Sequence, residues 1–414
     1  PHFEKMLYDN AQLISLYAEA SRFFGDDFFL NVALGSVDFV ERELRQTSHL
    51  FSSALDADSE GEEGRYYVWR EDELREALGD DYPFFARIFG IGGHSGWEDG
   101  RQVLRLVPGH RTLWMTYDGD GRAVMLRCLQ KLRQVRDKRT RPGLDDKVLT
   151  SWNAMMVKAY AGLYKATGDL SWLRKAEHLA EVLEENMADR EGGIFHAWKD
   201  GQAYIPGFLE DYCHLAEAFI ALHQAGLEER WLLKARDWTD QAIRRFRDPR
   251  SGLFWFSCGN DTTLISRKME IMDTVIPSSN AVMVKVLFYL GRLLEEDSYL
   301  EAGRRALSAV ASQLEKYPGA HMAWVGILAG HHAPLRTLFI TGPEARAWAE
   351  GLRKVKSPFL LVALNEGNSL VTHLQARYQP SVTRAYLCTA SSCLPPVDSL
   401  QDTIGLLRKE FHPE

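Results

Sequence analysis

Leu163-Tyr164-Lys165-Ala166-Thr167-Gly168-Asp169-Leu170-Ser171-Trp172-Leu173 is a helix end, a tight turn and a helix start. Before it, Met155, Met156, Ala159, Tyr160 and Leu163 recur at helical spacing. After it, Leu173, Ala176, Leu179, Ala180 and Leu183 do the same. Gly168 suits the left-handed residue that ends a helix, and Asp169 offers a carboxylate to the free N–H groups that begin one. Two amphipathic helices joined so tightly are a hairpin.

The same punctuation recurs at Gly25-Asp26-Asp27-Phe28, at Leu227-Glu228-Glu229-Arg230-Trp231 and at Glu296-Asp297-Ser298-Tyr299. The turns lie about 140, 60 and 68 residues apart, so the first interval spans two units and one unit is degenerate, over about residues 50–120. Ala11, Leu13, Ile14, Leu16, Tyr17 and Ala20 face Phe29, Val32, Ala33, Val37 and Val40. Residues 209–224 pair with 231–246, and 278–294 with 300–314. Further helices at about 71–90, 121–139 and 320–332 raise the total to about eleven or twelve, which fits a closed ring of hairpins. The fold class is mostly α, an (α/α)6 toroid spanning residues 1–333. After it, residues 336–340, 359–363 and 384–388 read as short buried strands, so 334–414 is expected to form a small α/β appendage.

Turns within hairpins are short. Links between hairpins are long and carry Gly-aromatic segments, Gly192-Gly193-Ile194-Phe195-His196 and Gly252-Leu253-Phe254-Trp255-Phe256. Long loops on one face of a rigid scaffold are where function concentrates. They lead into helix N-termini, whose N–H groups favour anions.

Composition narrows the function classes. The chain has 414 residues, 45% hydrophobic and 26% charged, enough for a sizeable core. A net charge of −8 gives no footprint for nucleic acid. No stretch approaches the roughly 20 apolar residues of a membrane span, and no signal segment opens the chain. Five scattered cysteines, an odd number, point to a reducing, cytoplasmic setting and not to a disulfide framework. Cys388 and Cys393 have the wrong spacing for a zinc knuckle, and Asp56-x-Asp58-x-Glu60-Gly61 lacks the distal glutamate of a calcium loop. No metal or cofactor is expected.

Four polar clusters fall on the long-loop face. They are His2, Glu4, Tyr8 and Asp9; Asp56 and Asp58; Asp145 and Lys147 with Trp152 and Asn153; and Glu210 and Asp211 with Asp273, Ser278 and Asn280. Carboxylates around an aromatic-lined cavity suit glycoside hydrolysis, and acid–base epimerisation of a sugar needs a similar set, usually with a histidine. Asp145 and Asp211 are the expected acid/base pair, with Trp152 as a stacking platform and the others as substrate contacts. Helix capping explains Asp145 equally well, and the helix dipole explains Glu210 and Asp211.

Pro1-His2-Phe3-Glu4-Lys5-Met6-Leu7-Tyr8-Asp9, Asp56-Ala57-Asp58-Ser59, Tyr66-Tyr67-Val68-Trp69, Leu144-Asp145 with Lys147, Trp152-Asn153, Gly207-Phe208-Leu209-Glu210-Asp211-Tyr212, Pro277-Ser278 with Asn280, and Ala385-Tyr386-Leu387-Cys388 with Cys393 occur in this order. Together they resemble the thioredoxin-fused six-hairpin family that includes spermatogenesis-associated protein 20. The chain departs from the family pattern at Leu55 and Ala154. The resemblance implies an (α/α)6 toroid similar in shape to sugar epimerases and six-hairpin glycosidases. It also implies an N-terminal thioredoxin-like domain missing from this chain, but no catalytic residues. Two functions follow as expectations: a carbohydrate-active or carbohydrate-binding domain taking a sugar or anionic glycoside, or a non-catalytic platform working with the thioredoxin-like domain in redox or protein quality control.

Overall fold

The computed structural model describes residues 2–92, 96–107, 120–189, 191–259, 266–332, 335–353, 355, 359–389 and 392–411. It divides into two compact units, one of residues 1–6 with 52–146 and one of 7–51 with 147–414.

The larger unit contains the hairpins. Helices α1 (Leu7–Phe24) and α2 (Asp27–Glu43) form the first, α3 (Thr150–Thr167) and α4 (Leu170–Met187) the second, α5 (Leu209–Gly226) and α6 (Glu229–Phe246) the third, and α7 (Ser279–Leu293) and α8 (Asp297–Lys316) the fourth. Each pairs with its hairpin mate, and the first helices also pack on one another in the order α1, α3, α5, α7. These are consecutive hairpins of the (α/α)6 class, as the periodicity predicts. Helix α5 is buried on nearly every side, including Asp211, His214, Glu217 and His223, as an inner helix must be. Helix α6 buries one stripe, Trp231, Leu232, Ala235, Trp238 and Phe246.

Acidic turns act as expected in two hairpins. Asp26 accepts the Phe28 N–H and Asp169 the Ser171 N–H, each at 2.9 Å. Glu228 and Glu296 stand at the equivalent positions without a side-chain cap bond.

A repeated fastening closes three of the long links. Where an outer helix ends, the chain doubles back through a single β-bridge, Arg45 with Phe51, Ala188 with Ile194, or Arg247 with Phe254. The first turn of the next inner helix then grips the returning strand. Asn153 accepts the Phe51 N–H at 2.8 Å and donates to its carbonyl at 3.1 Å. Asn280 does the same to Phe254, at 2.8 and 2.9 Å. In the link between them the Tyr212 hydroxyl accepts the Ile194 N–H at 3.2 Å. Buried backbone groups need partners, and the inner helices supply them.

Residues 336–341 form the centre of a three-stranded sheet, parallel to 360–365 and antiparallel to 384–388. Leu338, Ile340, Trp348, Leu387 and Leu407 fill its core. The boundary expected between residues 333 and 334 lies outside the described residues. Cys388 and Cys393 are joined by a disulfide, which departs from the all-reduced reading of the cysteines. Among the described residues no helix is long and apolar enough to cross a membrane.

The smaller unit stands where the degenerate repeat is expected. Its helices, Glu71–Leu78, Tyr82–Phe89 and Asp120–Arg136, enclose Trp69, Leu74, Phe85, Met125 and Cys128. The single helix expected over 71–90 is broken at Gly79, whose φ is +56°. Three two-residue strands, Lys5–Met6, Ala54–Leu55 and Leu144–Asp145, form its antiparallel sheet with Ala54–Leu55 in the middle.

Candidate functional site

The N-terminus of α5 meets a small antiparallel sheet of Val148–Leu149, Phe195–Lys199 and Gln202–Pro206. The sheet is brought in by a close approach at Gly207, whose N–H donates to the Ile194 carbonyl at 2.7 Å. A Cβ at 207 would lie 2.6 Å from that oxygen, so the position requires glycine. The approach sets Phe208 edge-on to His196, with ring centroids 4.9 Å apart, and stacks Phe208 on Phe256 at the same separation.

His196, Glu210 and Asp211 converge here, with one ligating atom of each within 4.8 Å of the others. Asp211 is fully buried and accepts the Phe208 N–H at 2.8 Å and the Ser151 N–H at 3.2 Å. It also faces His196 Nδ1 at 3.0 Å. Glu210 Oε1 lies 3.8 Å from the same nitrogen. Fixed by two backbone amides, Asp211 holds the imidazole with Nδ1 inward. Nε2 is then the nitrogen left to meet a ligand.

Electrostatics separate the roles. Burial works against a charged imidazole, but the hydrogen bond and charge of Asp211, with Glu210 behind them, outweigh it and raise His196 above its usual value. Burial, and then the Asp211 charge, push Glu210 up to about 7. At neutral pH the site therefore holds two groups poised to exchange protons beside one fixed acceptor. The three side chains offer the ligand set of a cation site, but Asp211 already receives three contacts. The other cluster of this kind among the described residues, Glu295 with Cys388 and Cys393, has its sulfurs tied in the disulfide.

Glu210 contributes a pH dependence to stability. A carboxyl whose folded pKa is about 7 favours the fold in its neutral form, so its contribution is present at acid pH and lost as pH rises through 7. Glu210→Gln is expected to raise Tm at pH 8 and leave it unchanged at pH 4.5, with a difference of at most about 3 kcal/mol. Equal shifts at both pH values would contradict this.

The remaining sequence-predicted residues are distributed as follows. Tyr8 and Trp152 meet edge to face at 4.8 Å. Asp273 accepts the Ser278 N–H at 2.9 Å and the Ala323 N–H at 2.8 Å, tying the start of α7 to the helix Met322–His332. Asn153 and Asn280 are fully buried and spent on backbone groups, so they serve the scaffold and have no free donor for a substrate. Asp9 and Lys147 are exposed on the larger unit. His2, Glu4, Asp56, Asp58 and Asp145 belong to the smaller unit, the first four exposed and Asp145 half-buried. Asp145 does not cap the helix that follows it: the N-cap of α3 is Leu149, and Asp145 pairs in a strand with Ala54.

Sequence reasoning passed over His196, which sits in a segment that reads as a Gly-aromatic link. It also passed over Glu270, which accepts the Ser279 N–H at 3.3 Å and whose charge adds to the rise of Glu210. The hydroxyls of Ser151 and Ser279 are buried and have no hydrogen-bond partner among the described residues.

No family model matches the chain. The chain is 28% identical to human spermatogenesis-associated protein 20 over its full length and 58% of the relative's, and 30% identical to the mouse protein over 84% of the chain and 49% of the relative. Among solved structures it is similar to cellobiose 2-epimerase from Spirochaeta thermophila DSM 6192, with 16% identity, a TM-score of 0.49, 78% of this chain covered and 62% of that one. It is also similar to the cellobiose 2-epimerase from Bacillus thermoamylovorans B4167, with 11% identity, a TM-score of 0.45, and 74% and 61% covered. Across its whole length the chain is thus similar to spermatogenesis-associated protein 20, and it spans between about half and three-fifths of the curated relatives it matches.

Proposed function

We propose that the chain catalyses proton transfer on a sugar at the mouth of its hairpin scaffold, in the manner of an isomerase or epimerase. The observation that carries this reading is the His196–Asp211 pair with Glu210 beside it. One group removes the proton from the carbon next to the carbonyl of a ring-opened sugar while the other protonates the carbonyl oxygen. Returning a proton to the opposite face of that carbon, as the oxygen gives its own back, yields the epimer; protonating the former carbonyl carbon, as the neighbouring hydroxyl loses its proton, yields the isomer. Asp211 touches no substrate and acts as a positioning residue. Phe208 and Phe256 supply an aromatic wall of the kind that packs on the apolar face of a sugar ring.

Hydrolysis fits this cluster less well. A retaining glycosidase holds two carboxyl groups about 5–5.5 Å apart and an inverting one about 6.5–9.5 Å, both facing the bond to be cut. Here the two neighbouring carboxyl groups are closer, and one is wholly buried.

The test is deuterium exchange. Incubating the chain in deuterated water with aldoses, uronates and sugar phosphates should place deuterium beside the carbonyl of at least one. The label should disappear in His196→Ala. Absence of exchange across the panel overturns the reading and leaves the binding platform allied to a thioredoxin-like domain.

A further inference from the structure

Beneath the mouth, the inner helices of three consecutive hairpins build a second charged group. Lys158 on α3 and Lys285 on α7 both donate to the same oxygen, Oε1 of Glu217 on α5, at 2.8 and 2.9 Å. Each lysine side chain is 36% exposed and Glu217 11%, so the cluster opens to solvent. His214, on the same helix, is 3% exposed, and among the described residues neither ring nitrogen has a hydrogen-bond partner; its Nδ1 stops 3.7 Å from Glu217.

Glu217 offers both ammonium groups a single shared oxygen, and the charge of Glu19 acts on both lysines as well. Burial acts to raise the Glu217 pKa, but Lys158 and then Lys285 outweigh it and hold the carboxylate ionised. Burial lowers Lys158 in spite of Glu217, whereas at Lys285 the Glu217 charge outweighs burial and raises the ammonium. Each ammonium has three N–H donors and gives one to that shared oxygen, so an incoming anion would take up donors that Glu217 leaves over. It would also meet the unpartnered His214, since a buried ring without hydrogen bonds is costly unless something completes it.

This group faces the same way as the site above it. Glu210, His214 and Glu217 are spaced i, i+4, i+7 on α5, one face of a helix. Seven residues of rise separate Glu210 from Glu217 by roughly 10 Å. An extended six-carbon sugar ending in an anionic group spans that interval.

We propose that Lys158 and Lys285 bind the phosphate or carboxylate of an acidic sugar whose carbonyl end lies against His196 and Glu210. This rests on the acid/base reading given above and names its substrate class: sugar phosphates or uronates, not neutral sugars.

Thermal-shift titrations of the chain with glucose 6-phosphate, glucuronate and glucose test it. One or both acidic probes should raise Tm saturably, and glucose should not. Lys285→Met and Lys158→Met each leave Glu217 one lysine partner and should weaken the acidic probe at least tenfold, whereas Lys158→Arg should retain it. Glucose 6-phosphate alone responding assigns a phosphate, and glucuronate alone a carboxylate. Silence from both acidic probes, or undiminished binding in the two methionine variants, overturns the proposal. Lysine-dependent binding without deuterium exchange would leave the anion site standing and overturn the acid/base reading. Exchange on glucose that ignores both lysines would do the reverse.

Discussion

Asn280→Ala is expected to cost about 2–5 kcal/mol in urea unfolding, and Asn153→Ala about the same. Each removes a side chain with three hydrogen bonds to main-chain groups: for Asn280 the N–H and carbonyl of Phe254 and the carbonyl of Glu270, for Asn153 the N–H and carbonyl of Phe51 and the carbonyl of Leu149. Phe51 and Phe254 are buried, so water cannot readily replace the lost partner. The small volume lost adds a lesser cavity term. A loss below about 1 kcal/mol in both variants would show that the links hold by side-chain packing alone. Because the two positions repeat the same fastening, a large effect at one and none at the other would also count against it.

Asp211→Asn is the second large effect. The carboxylate receives two backbone N–H groups and His196, and an amide must turn its own NH2 toward at least one of those donors. We expect a stability loss of about 2–4 kcal/mol, consistent with breaking hydrogen bonds to a buried charged acceptor. The more telling readout is His196. With the Asp211 charge removed, burial is the largest remaining influence and it lowers the imidazole, so an NMR titration should find His196 moved down from its raised position. Turnover, where the exchange assay detects it, should fall by about 10³ or more, as in catalytic dyads whose orienting carboxylate becomes an amide. An unmoved His196 titration would rule out the positioning role.

The hairpins were legible because local signals agreed: Gly168 ends a helix, Asp169 begins one, and apolar residues on either side keep the helical period. The strands at 336–341, 360–365 and 384–388 were legible for a similar reason, as short runs of buried aliphatic residues. The smaller unit was not. Its sheet consists of two-residue strands, too short for any alternation to register. The site was half legible. Glu210 and Asp211 stand out as acids in a first turn, but only the fold shows that Asp211 is buried and that His196 closes on it from a neighbouring strand. Asn153 and Asn280 were misread because an asparagine at a helix start looks the same whether it faces a ligand or a backbone. The pairing of exposed Cys393 with buried Cys388 depended on how a loop doubles back, which spacing does not reveal.

The sheet of the smaller unit also carries a consequence for the order of assembly. Its three strands are separated in the chain by residues 7–53 and 56–143, and the middle strand, Ala54–Leu55, needs both edges. During synthesis Lys5–Met6 can meet Ala54–Leu55 as soon as the latter has emerged, whereas Leu144–Asp145 reaches the other edge only after residues 56–143 have followed. The hairpin α1–α2 has emerged complete by then and can pair locally, which low-separation contacts favour kinetically. The edge formed by Leu144–Asp145 is therefore the last of the sheet to close, and slowing translation after residue 145 would give that late closure time to finish.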